Sequence, residues 1–235
     1  MVGAGKAEAM LSEKELSGKA VLVKPRMRGV LHHGAALVAF GAGVVLVALS
    51  PSTRAAWASA IYATSTVILF GVSAAYHRPT WQPRERALMR RLDHASISLI
   101  IAGTYTPMCL LALPDPRGSS LLWAIWGTAS LGILQALFWA HAPKWVSALV
   151  YLLVGWTIVP YFGDVRAALS AGQLALLFGG GILYSAGAVI YALRRPNPVP
   201  AVFGYHEVFH ALTLAACALH FILVLSFVRG VSPHV

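Results

Sequence analysis

Charged residues are scarce in this sequence. Asp, Glu, Lys and Arg make up 11% of its 235 residues, less than half the roughly 25% of a soluble globular domain. A chain so poor in charge cannot clothe itself for water, so an ordinary soluble enzyme is set aside. Acids are scarcer still, eight against eighteen Lys and Arg, which leaves a formal charge of +10. That surplus does not make a nucleic-acid surface, because the cations fall between apolar runs instead of along one amphipathic face, and no nucleic-acid motif is present. Cysteine is nearly absent. Cys109 and Cys217 lie inside apolar runs without redox or ligand spacing, and both are expected as buried, inert thiols. No cleavable signal peptide is expected either. The first 29 residues are polar and of mixed charge, and the first apolar run, after Lys24, Arg26 and Arg28, is too long for a signal core. Internal repeats and low-complexity segments do not stand out.

What the chain does have is apolar length. Hydrophobic residues reach 58%, mean hydropathy is +0.70, and seven stretches are long enough to cross a bilayer. They run roughly over 30–50, 56–78, 94–113, 118–140, 144–162, 172–193 and 206–228, parted by Pro, Gly and charge. Backbone groups in hydrocarbon must be satisfied within their own segment, and the runs lack the alternation of a barrel, so the spans are helices. The expected fold is all-α, a polytopic bundle of seven transmembrane helices over 30–228, with tails at 1–29 and 229–235. Fourteen Lys and Arg fall on the side of the N-terminus and four on the other. The positive-inside rule therefore puts the N-terminus in the cytoplasm and the C-terminus outside, as an odd number of spans requires. Gly179, Gly180, Gly181 and Gly187, with Ser185, predict close packing of the sixth span.

Ionisable residues inside spans are costly and mark function, and here they gather. His77 ends the second span, Asp93 and His94 open the third, and His206, Glu207 and His210 open the seventh, all on the cytoplasmic side. His206 and His210 are four residues apart, which puts both imidazoles on one helix face. With His77 they form a set of three ligands that leaves a fourth tetrahedral position open, the pattern of a catalytic zinc site. Zinc would bring the pKa of water down to about 7. Asp93 is the carboxylate placed to hold that water or take its proton. Ser73, one turn before His77, is placed to orient one of these groups. The competing reading is a set of polar side chains at the membrane surface, reaching for water. His33 is a candidate supporting partner, His94 a packing residue, His220 a satisfied interior histidine about 15 Å deeper than His210, and Glu207 a charge suited to a helix N-terminus.

At these residues the chain resembles the haemolysin III family, the bacterial branch of the progestin and adipoQ receptors, within a superfamily that includes alkaline ceramidases. Ser73-Ala-Ala-Tyr-His77 matches the family's S-x3-H motif and His206-Glu-Val-Phe-His210 its H-x3-H motif. The run from Leu92 to Pro107 is similar to its third-helix signature. The resemblance implies seven helices, zinc on His77, His206 and His210, a water-mediated role for Asp93 and a hydrogen-bonding role for Ser73. It also implies a multi-pass protein of the bacterial inner membrane. One motif departs: E-x2–3-N-x3-H keeps only His33, with Gly29 where Asn stands and Pro25 or Arg26 where Glu stands.

Three functions stay open on the sequence. The chain is a zinc-dependent hydrolase of lipid amides or esters whose partner is a membrane lipid with its acyl chain, or a non-catalytic regulator of membrane lipids with structural zinc, or a pore-forming haemolysin. The last has the least support, since no polar stripe is there to line a channel. Substrate and oligomeric state are not legible.

Overall fold

A computed structural model describes residues 24–139 and 141–230. The tails expected at 1–29 and 229–235 fall mostly outside the described residues. Among the described residues, seven helices are long and apolar enough to cross a membrane: α1 (Val30–Ala48), α2 (Thr53–His77), α3 (Pro83–Ala112), α4 (Arg117–Phe138), α5 (Lys144–Ala168), α6 (Ala171–Leu193) and α7 (Tyr205–Val228). No strand occurs among the described residues. Large apolar side chains such as Leu37, Phe40, Trp123 and Phe138 point outward, as a lipid-facing surface allows.

Local chemistry sets the helix ends. The Ser52 hydroxyl accepts a hydrogen bond from the Ala55 amide at 3.2 Å, capping α2. Ser170 and Gln173 form a reciprocal capping box at the start of α6. At α7 the Gly204 amide donates to the Glu207 carboxylate at 2.9 Å, so Glu207 serves the helix N-terminus as expected. The third span departs from its expected start at 94. Pro83 opens the helix, and the Gln82 amide donates to Glu85 at 3.1 Å. Arg84, Arg86, Arg90 and Arg91 therefore stand on helical turns instead of in a loop, and Asp93 and His94 lie well inside α3. The fifth span is also longer than expected: regular helix ends at Gly155, and a 3-10 turn at Val159–Tyr161 leads into a last stretch at Phe162–Ala168.

Sequence neighbours pack as neighbours, and α7 closes the bundle by touching α1, α2 and α3. The most buried spans are α3, α2 and α7, and these three supply the ionisable cluster. Of the small residues in α6, Gly180 lies under the His220 ring and Gly187 against Phe209. Gly181 meets no neighbour, and the Ser185 hydroxyl accepts instead from the Trp156 indole at 3.1 Å. The close approach is therefore made by part of the expected stripe.

Candidate metal centre

The last residue of α2 and the first two turns of α7 meet at one end of the bundle. His77, His206 and His210 each bring one ring nitrogen into a group whose ligand atoms all lie within 4.8 Å of one another. The Nε2 atoms of His77 and His206 are 3.1 Å apart. Ring centroids are 4.5 Å apart for His206 and His210 and 5.2 Å for His77 and His210. Two imidazole nitrogens at such a distance need a proton or a cation between their lone pairs, and all three histidines are buried. The group could hold a metal ion.

Asp93 stands beside it on α3, with Oδ2 3.8 Å from His77 Nε2. Ser73, buried one turn before His77, lines the same inner cavity as Asp93 and His210. Five residues singled out from the sequence are thus brought to one place by three helices.

The histidine beside His33 is the one that faces the site. His33 is exposed, whereas His32 is 2% exposed and lies flat on His210, ring centroids 3.8 Å apart and planes 10° apart. Successive helical residues point about 100° apart, so one of the pair must face outward. The signal was in the sequence, since His32 shares a stripe with Ala35, Gly43 and Leu46, the other buried residues of α1. His94 packs as expected, its Nδ1 3.2 Å from the Tyr151 hydroxyl. His220 Nε2 bonds the Leu177 carbonyl at 3.1 Å, while His220 also lines the inner cavity. Cys109 and Cys217 are buried and free.

A short strap ahead of α1 holds this end together. Met27 donates its amide to the Val202 carbonyl at 3.1 Å and Arg26 to that of Ala201 at 3.1 Å. Arg28 pairs with the buried Glu207 carboxylate. Gly29, at φ 76°, turns the chain into α1 directly against His77, where a side chain would collide. Gly29 stands out in the sequence as a departure from the family motif, whereas the Arg28–Glu207 pair is not legible there, because nothing in spacing links residues so far apart.

Two cavities flank the histidines. The inner one, about 120 Å³, is walled mainly by apolar side chains, with Ser73, Asp93 and His210 among its polar lining. The outer one, about 420 Å³, has His77 and His206 in its wall together with Arg86, Arg90 and Lys144.

The chain is similar to known proteins over most of its length. The family model described as "Haemolysin-III related" matches residues 21–221. The chain is 30% identical over 209 residues to the Hemolysin-3 homolog of Bacillus subtilis (strain 168), covering 87% of this chain and 95% of that protein. It is 31% identical over 210 residues to Hemolysin-3 of Bacillus cereus, covering 88% and 93%. The human Monocyte to macrophage differentiation factor is 24% identical over 168 residues, covering 68% of this chain and 66% of its own length.

Proposed function

The chain belongs to the haemolysin III family of multi-pass membrane proteins, and from that premise we propose that it is a zinc-dependent hydrolase of acyl amides or esters in membrane lipids. The observation that carries this reading is the three-histidine group, whose member His210 lines an apolar cavity together with the Asp93 carboxylate and the Ser73 hydroxyl. A tetrahedral ion with zinc–nitrogen bonds of roughly 2.0–2.1 Å sets its ligand atoms about 3.3 Å apart. The 3.1 Å between His77 and His206 and the 4.8 Å bound on the whole group fit that need after small ring rotations. An all-imidazole donor set suits zinc.

His77, His206 and His210 would hold the ion. When bound, zinc supplies Lewis acidity toward a carbonyl and makes hydroxide accessible near neutral pH. Asp93 accepts the proton of the attacking water and passes it to the leaving oxygen or nitrogen. Ser73 hydrogen-bonds within the cluster and fixes its orientation. The apolar cavity wall takes the acyl chain and keeps bulk water from the reacting carbonyl. In this reading the cluster lies at the cytoplasmic end of a protein of the bacterial inner membrane.

A second reading rests on where the ligands come from. His77 is on α2 and His206 and His210 are on α7, so a metal would clasp two helices that otherwise touch lightly, as a structural ion in a lipid-responsive regulator would. Metal analysis and fatty-acid release decide between them. Wild type is expected to hold one zinc per chain and to release fatty acid, with zinc lost in His77→Ala and His206→Ala and release lost in Asp93→Asn. Zinc without any release from a panel of acyl lipids leaves the regulator. No zinc in wild type sinks both.

A further inference from the structure

The outer cavity has a chemistry of its own. Arg86 and Arg90, four residues apart on one face of α3, and Lys144 at the start of α5 line it. Lys144 Nζ donates to the Tyr205 hydroxyl at 2.7 Å and sits 4.5 Å from the Tyr191 ring centre, which fixes the ammonium at the wall. Among the described residues, no carboxylate lies within ion-pair distance of any of these three cations; the pairs present are Arg28–Glu207, His77–Asp93 and Arg117–Asp164. Three cations with no ion-pair partner among the described residues, around a space of about 420 Å³, make a site for an anion with several acceptor oxygens. The site lies where three spans end or begin, at His77, Pro83 and Lys144, the depth of lipid headgroups.

The order of groups along the bundle carries the assignment further. Cations line the outer cavity, His77 and His206 stand in its wall, and His210, Asp93 and Ser73 face the apolar inner cavity. A glycerophospholipid presents the same order: phosphate, acyl ester, hydrocarbon. A ceramide has no anion to offer the cations. We propose that the outer cavity binds the phosphate of a glycerophospholipid, so that the acyl ester of that lipid lies at the histidine group. This rests on the hydrolase reading for its chemistry and on the cations alone for its binding. In the reaction the water oxygen bonds to the ester carbonyl carbon and the bond to the glycerol oxygen breaks. One water proton goes to that oxygen and the other leaves with ionisation of the fatty acid. The products are a lysophospholipid and a fatty acid.

The test compares phosphatidylglycerol with diacylglycerol of the same acyl chains, each titrated against the purified full chain in detergent and followed by tryptophan fluorescence. Wild type is expected to bind the phospholipid about tenfold more tightly or better, since charge-assisted hydrogen bonds set the difference. The double variant Arg86→Gln/Arg90→Gln should bind the two lipids alike. Arg86→Lys/Arg90→Lys, which keeps the charge, should hold most of the preference. His206→Ala should keep it too while losing metal, which separates failure of the headgroup site from failure of the metal reading. Equal binding of both lipids by wild type overturns the proposal, and that comparison stands even where the glutamine variant does not fold. A preference that survives in a glutamine variant of native melting temperature also overturns it. Saturable binding of inorganic phosphate with no preference between the lipids assigns the cations to a soluble phosphate and overturns the lipid assignment. A lipid preference without fatty-acid release sustains the headgroup site and removes the hydrolase.

Discussion

The ring of His32 lies flat on that of His210, with centroids 3.8 Å apart and planes inclined by 10°, and it also makes an edge-on contact with Phe70 at 5.0 Å. Neither His32 nitrogen has a partner among the described residues. The stack limits how far the His210 imidazole can tilt, which is what a ligand needs if its lone pair is to stay aimed.

Replacing His32 by Ala is expected to lower zinc affinity by about two- to tenfold, the range that corresponds to the roughly 0.5–1.5 kcal/mol of an aromatic stack. His33→Ala, on the exposed neighbour, should leave affinity unchanged. Competition against a chelator of known affinity measures both, and an equal loss in the two variants removes the role of the stack.

Glu207 is 1% exposed and pairs with Arg28, whose side chain is 22% exposed. Removing one partner of such a pair leaves a buried charge whose remaining donor among the described residues is the Gly204 amide. Arg28→Ala should therefore destabilise the protein by about 3 kcal/mol, the lower end of what breaking a buried pair costs. Adding Glu207→Gln should recover part of that loss, because the uncompensated charge is gone. Thermal melting of the three proteins in one detergent checks the order. A double variant less stable than Arg28→Ala contradicts it.

The spans were legible because a bilayer demands about 20 apolar residues per helix, and the cluster was legible because a membrane helix carries so few ionisable groups. His206 and His210 declared themselves by helical period. The start of α3 at Pro83 was hidden by its own chemistry: its first turns are rich in Arg, and hydropathy reads such turns as loop although a capping box and a proline make them helix. The choice between His32 and His33 turned on helix phase, which the lone stripe of Ala35, Gly43 and Leu46 carries faintly. The strap of 24–29 and its Arg28–Glu207 pair join residues 179 positions apart, a relationship that no local pattern encodes.

Gly180 on α6 lies beneath the His220 ring, where a Cβ would run into its imidazole atoms. The ring cannot swing away freely, since its Nε2 is bonded to the Leu177 carbonyl. Gly180→Ala is expected to cost about 1–3 kcal/mol by overpacking, visible as a lower melting temperature. His220→Ala in the same chain should return part of it, because the colliding ring is removed, so the two changes should be non-additive. Strict additivity in a double-mutant cycle contradicts the contact.

Metal removal tests the clasp between α2 and α7. An ion bound by the folded protein alone stabilises it by about 2.7 kcal/mol at a hundredfold excess over its dissociation constant. Chelation should therefore lower the melting temperature of wild type, and added zinc should restore it. His206→Ala lacks one of the three proposed ligands, so its melting temperature should respond little to either treatment. Hydrogen exchange locates the effect: faster exchange after chelation is expected at the last turn of α2 and the first turns of α7, with α4 unchanged because it supplies none of the three histidines. Exchange that rises evenly across all seven helices points to a general loss of fold and removes the clasp.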